Sequence, residues 1–301
     1  MSYESALLAL AKADPDIVVL TAENRAHIRA LPELLGERFI DVGIAEQTLV
    51  GVAAGLALRG RKPVVHALAP FLTMRAFEFI RTDVGIAGLP VKLIGFVPGL
   101  LSDGNGPTHQ SLEDIALMRG IPGMQVFCPE SGPALEAALP SILASPAPCY
   151  VRYTSRDGLV PSKPQALGAA EVRARGRDVT FVTFGLLVEQ AELACRQLAA
   201  AGLQAGLVNL SWLSPVDEAA LLDVARDTKL LVTVEDHFKI GGLYSIVCEL
   251  LQRAGLRTKL VSRAFDGRWF KPATLPRVLE HEGLSGARLA ESVLRTISEQ
   301  P

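Results

Sequence analysis

Hydrophobic positions along this chain fall into short, nearly continuous apolar runs that alternate with longer stretches of helical period. The runs at 17–20, 63–68, 91–97, 124–128 and 149–153 are rich in Val, Ile, Leu and aromatic residues, and several lack polar–apolar alternation. That is the pattern of strands buried on both faces. Between them the Glu46 segment, 74–81, 112–119 and 133–143 read as helices. The alternation predicts a mainly parallel sheet flanked by helices. Between Arg156 and Arg177 the pattern stops, and Gly158, Pro161, Pro164 and Gly168 mark a linker. A second series follows, with strands at 179–184, 205–210, 229–234 and 258–261. Its helices fall at 187–201, 217–226 and 243–254, with a helical tail from Leu275. The expected fold class is therefore α/β, as two domains with mainly parallel sheets: 1–157, a linker over 158–177, and 178–301.

Composition narrows the function. A chain of 301 residues with a formal net charge of -2 carries no electrostatic footprint for nucleic acid. No apolar run is long enough to span a bilayer, and the first residues lack a signal-peptide pattern. Cys128, Cys149, Cys195 and Cys248 are widely scattered, which argues against a disulfide framework or a zinc site and fits a reducing cytoplasm. The five histidines form no HExxH-like pair, so no metal is expected to be held by this chain's side chains alone.

One stretch stands out chemically. In Asp41-Val-Gly-Ile-Ala-Glu46-Gln a carboxylate heads a helix of almost wholly apolar and small residues, Thr48 to Leu58. A helix apolar all round is normally buried. Burial disfavours the ionised form of a carboxylate, as a proton-handling group near neutral pH requires. Read alone, Glu46 favours the plainer reading, an N-terminal carboxylate stabilised by the helix dipole.

Two further motifs decide between these readings: Gly106-Pro-Thr-His109-Gln followed by Leu112-Glu-Asp-Ile-Ala-Leu-Met-Arg119, and Val234-Glu235-Asp236-His237 followed by Gly241-Gly242-Leu243. Together with the Glu46 segment, and in this order, they resemble the C-terminal part of transketolase, a thiamine-diphosphate enzyme. The resemblance covers nearly the whole chain. It implies a pyrimidine-binding thiamine-diphosphate fold followed by a transketolase C-terminal domain. The family's diphosphate-binding domain, with its Gly-Asp-Gly motif and downstream Asn, is absent from this sequence. The chain thus resembles the separate C-terminal subunit of split transketolases. The resemblance implies an N-terminal partner subunit that carries most of the hold on thiamine diphosphate and on Mg²⁺ or Ca²⁺. It also implies self-association to a dimer within a heterotetramer, and sugar phosphate substrates.

Residue by residue, the resemblance implies that Glu46 contacts N1′ of the cofactor's aminopyrimidine and shares a proton there. Phe71 corresponds to the aromatic residue that stacks on the pyrimidine. An ordinary core Phe is the competing reading, with Phe77 as the alternative aromatic. Leu101, or a neighbour in the loop after the 91–97 strand, is placed beside the V-shaped cofactor. His109 matches a histidine near the reacting hydroxyls, a group able to move a proton near neutral pH. Thr21 matches a small hydroxyl residue that helps to hold phosphate. One of Arg152 and Arg156, at the end of the 149–153 strand, corresponds to the phosphate-binding arginine; the other reads as a solvated strand-end charge. His237 reads as an interface residue, and His66 as either a satisfied core histidine or a site residue.

The loop departs from the family pattern. Where transketolases usually read Gly-Glu-Asp-Gly, this chain has Ser102-Asp103-Gly104-Asn105-Gly106, so Asn105 replaces an aspartate that senses the C2 hydroxyl unless Asp103 substitutes for it. An amide can hydrogen-bond a hydroxyl but brings no charge. A family histidine that assists phosphate binding falls at Val97. Both departures lie on the substrate side. They point to retained cofactor chemistry with a non-standard substrate pair. The competing functions are the β subunit of a 2-oxo-acid dehydrogenase, a 1-deoxyxylulose-5-phosphate-synthase-like enzyme, and a non-catalytic regulatory subunit.

Overall fold

A computed structural model describes residues 2–158 and 166–299, apart from the Asp103 side chain. The strands, in chain order, are β1 (Ile17–Thr21), β2 (Phe39–Asp41), β3 (Lys62–Leu68), β4 (Lys92–Phe96), β5 (Gln125–Phe127) and β6 (Cys149–Arg152). They continue with β7 (Glu171–Ala174), β8 (Val179–Thr183), β9 (Ala205–Asn209), β10 (Trp212–Ser214), β11 (Leu230–Phe238) and β12 (Lys259–Phe265).

Two sheets result. The first has the order β10-β5-β6-β4-β3-β1-β2 and is parallel except for β10. The second has the order β12-β11-β8-β9-β7 and is parallel except for β7. β1, β4, β5, β6 and β8 are buried along their whole length. Their continuous apolar runs follow from cover on both faces.

Two elements cross the expected boundaries. Within the 158–177 segment read as a linker, 159–165 lie outside the described residues, but Glu171–Ala174 forms β7 and closes one edge of the second sheet. Gly168, at φ of 74°, sits in a turn just before this four-residue edge strand. β10 comes from beyond the linker yet pairs with β5 of the first sheet. The two domains are therefore stitched by a strand as well as by side chains.

Apolar packing follows the same plan. One face of the first sheet buries the 3–13 and 132–144 helices, through Leu7, Val19, Val64, Leu139 and Trp212. The other face buries Leu49, Val50 and Ala53 of the 46–58 helix. That second core runs on without a break into Val182, Leu210, Leu243 and Ile246 of the second domain.

Candidate functional site

The carboxyl ends of β2, β3 and β4 deliver the chemistry-bearing residues to one edge of the first sheet. In open parallel sheets such as this, ligands bind beyond those ends, where neighbouring connections diverge. β1 lies between β2 and β3, so such a divergence falls here.

After β2 the chain must turn sharply into the 46–58 helix. Asp41 builds that turn. Its Oδ1 accepts the Glu23 N–H at 3.0 Å and the Gly43 N–H at 2.9 Å, while Oδ2 takes the Arg25 guanidinium. Gly43 has φ of 73°, the left-handed region open to glycine. The first aspartate of the motif is thus a scaffold for the turn. Glu46 opens the helix with no side-chain cap preceding it. Its residue is 3% exposed, yet Oε2 accepts from Arg75 Nη1 at 2.9 Å.

After β3 the chain winds into a wide π-type turn, Phe71–Arg75, in which Thr73 Oγ1 donates to Ala69 O at 2.7 Å. Turns of this kind are frequent at functional sites. The turn places Phe71 and Arg75 on one side, and the Arg75 guanidinium lies 4.3 Å from the Phe71 ring centroid. His109, from the loop after β4, meets Phe71 edge-on with ring centroids 5.1 Å apart and planes at 69°. His109 Nδ1 shares a 2.9 Å hydrogen bond with Thr108 Oγ1. Three segments far apart in sequence therefore converge: Glu46 to Arg75, Arg75 to Phe71, Phe71 to His109. Arg75 is the residue that sequence reasoning missed. Its position four residues after Phe71 on a helical stretch was the available signal.

The other candidates divide. Leu101 is half-buried and Asn105 exposed, both on the loop that carries His109, and Asn105 Nδ2 donates to Ser102 Oγ at 3.1 Å. The substitute residue Asp103 has its side chain outside the described residues. Val97 starts this loop at φ of 47°, a strained conformation for a β-branched residue. Thr21 is fully buried, with its hydroxyl aimed at the carbonyl oxygens of Asn24 (2.9 Å) and His66 (3.2 Å). These hydrogen bonds tie β1 to its neighbours and engage the hydroxyl proton within the chain.

Arg152 is likewise engaged within the chain. It is 4% exposed, and its donors are taken by Asp114 Oδ2 (2.9 Å), Asp236 Oδ1 (2.7 Å) and the carbonyls of Ser111 and Asp236. Burial pulls the guanidinium pKa down, but Asp114 and Asp236 outweigh it and hold it well above its ordinary value. Arg152 is an internal strut between the domains, and a phosphate would have to break that network to reach it. Arg156 is exposed and faces Glu189 at 3.6 Å. Of the pair, it alone has donors accessible to a ligand.

Neighbouring ionisable groups are tuned by burial. His66 is pushed down to about 4, as burial disfavours its charge; it shares 2.8 and 3.1 Å hydrogen bonds with Tyr3 Oη and Leu20 O. That settles it as a satisfied core histidine. Glu235 is pushed up to about 8 by burial, although its carboxylate accepts the Tyr244 and Leu243 N–H groups at the start of a helix. His237 Nε2 accepts from Ala116 N–H at 3.3 Å across the domain seam. Among the described residues no group of three or more His, Cys, Asp and Glu side chains could hold a metal ion. No helix among them is long and apolar enough to cross a membrane.

Two family models match this architecture: the transketolase pyrimidine-binding domain over residues 1–158 and the transketolase C-terminal domain over 168–288. The chain belongs to the transketolase family. It is 39% identical over 255 residues to the 6-deoxy-6-sulfo-D-fructose transketolase subunit of Clostridium sp. strain MSTE9, covering 83% of this chain and 79% of that one. It is 33% identical over 268 residues to an apulose-4-phosphate transketolase subunit of Phocaeicola vulgatus, covering 86% and 85%. A 1-deoxy-D-xylulose-5-phosphate synthase of Synechococcus is 35% identical over 300 residues, but this chain spans 46% of its length. Among solved structures, one described as a split-gene transketolase, inactive beta4 tetramer, superposes with a TM-score of 0.87 at 32% identity, covering 99% of this chain and 97% of that one. Transketolase-family membership, with two α/β domains of the pyrimidine and C-terminal types, is what these matches establish.

Proposed function

We propose that this chain is the C-terminal subunit of a two-polypeptide, thiamine-diphosphate-dependent transketolase that moves a two-carbon ketol unit from a ketose to an aldose, sugar phosphates among them. The observation that carries the reading is the convergence of Glu46, Phe71 and His109 through Arg75 at the carboxyl edge of the first sheet. The residues suit a cofactor's pyrimidine: a buried carboxylate faces an accessible cation, and a half-exposed aromatic ring lies beside it. Glu46 would hold a proton at the pyrimidine, Phe71 would stack on its face, and Leu101 would support it from the loop. His109 and Asn105 would meet the sugar hydroxyls, and Arg156 a phosphate. The bound cofactor supplies the nucleophilic carbon chemistry; this chain's residues orient it and place protons.

Among the described residues no cluster of His, Cys, Asp and Glu side chains suits the metal that accompanies the diphosphate end. A second polypeptide supplies that end of the site, along with Mg²⁺ or Ca²⁺. Relatives named as subunits, and a structural neighbour described as an inactive tetramer of β chains, support this division of labour and self-association within a heterotetramer. Asn105 and Val97 favour a substrate pair other than the ordinary one.

The test is to co-express the chain with a polypeptide carrying the diphosphate-binding domain. Ketol transfer is then assayed from xylulose 5-phosphate to ribose 5-phosphate and across other ketoses. Transfer that requires both chains and favours another pair supports the proposal. Efficient turnover of the ordinary pair removes the altered-substrate part. Pyruvate decarboxylation in place of ketol transfer would replace the whole reading by the synthase or dehydrogenase one.

A further inference from the structure

The loop between β4 and the 114–119 helix carries Leu101, Asn105 and His109, and its neck is closed. Gly99 and Ser111 exchange backbone hydrogen bonds of 3.1 and 3.4 Å. That neck rests on the second domain. Asp236 of β11 accepts the Leu100 N–H through Oδ2 at 3.4 Å and the Arg152 guanidinium through Oδ1 at 2.7 Å. Arg152 donates on to Ser111 O at 3.2 Å, and the Phe238 N–H to Leu112 O at 2.8 Å. Gly99, at φ of 59°, is packed so closely that an added Cβ would overlap the Asp236 carboxylate. Farther along, an added Cβ at Gly106 would overlap the Pro272 ring of the second domain.

The loop has a reason to open. Among the described residues neither end of the Gln110 amide has a hydrogen-bond partner, and the residue is 1% exposed; the Ser111 hydroxyl is likewise unpartnered. Burying such groups unpaired costs free energy that opening to water would recover. The tie to the second domain has to outweigh that cost.

We infer that Asp236 is a positioning residue that fastens the neck of the 97–111 loop to the second domain and so sets where Asn105 and His109 stand. Glu46 and Phe71 stand on elements of the first domain; the loop that carries Leu101, Asn105 and His109 is held from the second. The loop's role in substrate binding rests on the proposed function, whereas the tie does not.

Hydrogen–deuterium exchange of the full chain tests the tie, with Asp236→Asn removing the charge and Gly99→Ala prising the neck from the other side. Both variants should speed exchange in peptides spanning 97–112 by at least about tenfold, with the 46–58 helix unchanged. In the assembled enzyme the ketose KM should rise by a larger factor than half-saturation by thiamine diphosphate, which shares Leu101 of this loop but rests mainly on Glu46 and Phe71 outside it. Unchanged exchange in the loop, or equal acceleration across both domains, overturns the inference. Localised exchange with no ketol transfer even in the wild-type assembly keeps the tie and refutes the proposed function instead.

Discussion

Two arginine–carboxylate pairs in this chain look alike on paper and behave as opposites. Arg75 and Glu46 meet at 2.9 Å with the arginine side chain 43% exposed. Arg152 meets Asp114 and Asp236 at 2.9 and 2.7 Å with all three side chains at most 4% exposed. In the sealed network the arginine's charge is balanced by two carboxylates of the same chain, leaving nothing for a ligand. In the open pair a buried carboxylate is balanced by an accessible cation that can be moved aside. The proposed chemistry is assigned to the open arrangement, and the sealed one holds the domains together.

Substitutions can sharpen that contrast. The largest effect is expected from Arg152→Met, which strands two buried carboxylates; stability should fall by about 3–5 kcal/mol in denaturant unfolding. A loss near zero would mean the network is solvated and Arg152 available to a ligand.

Next comes pH dependence, which separates the two domains. His66 has its folded pKa near 4, below the unfolded value of about 6.5. The unfolded state therefore binds the extra proton, and the stability this group contributes is complete above about 6.5 and lost as pH falls toward 4. Glu235 has its folded pKa near 8, above the ordinary carboxylate value. Its contribution is complete below the unfolded value of about 4.3 and lost as pH rises through about 8. Thermal unfolding from pH 4 to 9 should show both slopes. His66→Phe should flatten the acid side and Glu235→Gln the alkaline side, and a profile left unchanged by either variant would contradict the assignment.

Arg75→Met leaves the buried Glu46 carboxylate without its cation, so stability should fall, by less than in Arg152→Met because one carboxylate and not two is stranded. Its guanidinium now spans the partners a flat heterocycle would use, so its removal should lower half-saturation by thiamine diphosphate up to about fivefold in the assembled enzyme. A rise would show that Arg75 itself holds the cofactor. Smallest of all, Arg253→Ala removes an exposed partner of Glu218 and should leave the unfolding curve in place.

The sequence exposes one side of this comparison better than the other. Strands such as β4 and β8 are legible because burial on both faces leaves uninterrupted apolar runs. The transketolase resemblance was legible from three ordered motifs. Arg152 and Arg156 could not be told apart, because the sequence pattern puts both at the end of the 149–153 run. What distinguishes them is Asp114 and Asp236, which lie 38 and 84 residues from Arg152. The short β2, β7 and β10 were hidden for a related reason: three or four residues carry too little periodicity, and neighbours from distant segments hold them in place. Asp41 and Thr21 show the converse limit. A residue's presence in or near a motif does not say whether it meets the ligand or holds the turn that presents the ligand's partner.

The most direct test of the account is Glu46→Gln in the assembled two-chain enzyme. Gln keeps the shape and can still hydrogen-bond, but it cannot share a proton as a carboxylate does. The prediction is intact assembly and an unfolding midpoint close to wild type, with kcat for ketol transfer reduced by about 10²-fold or more. Wild-type turnover in that variant would contradict the account.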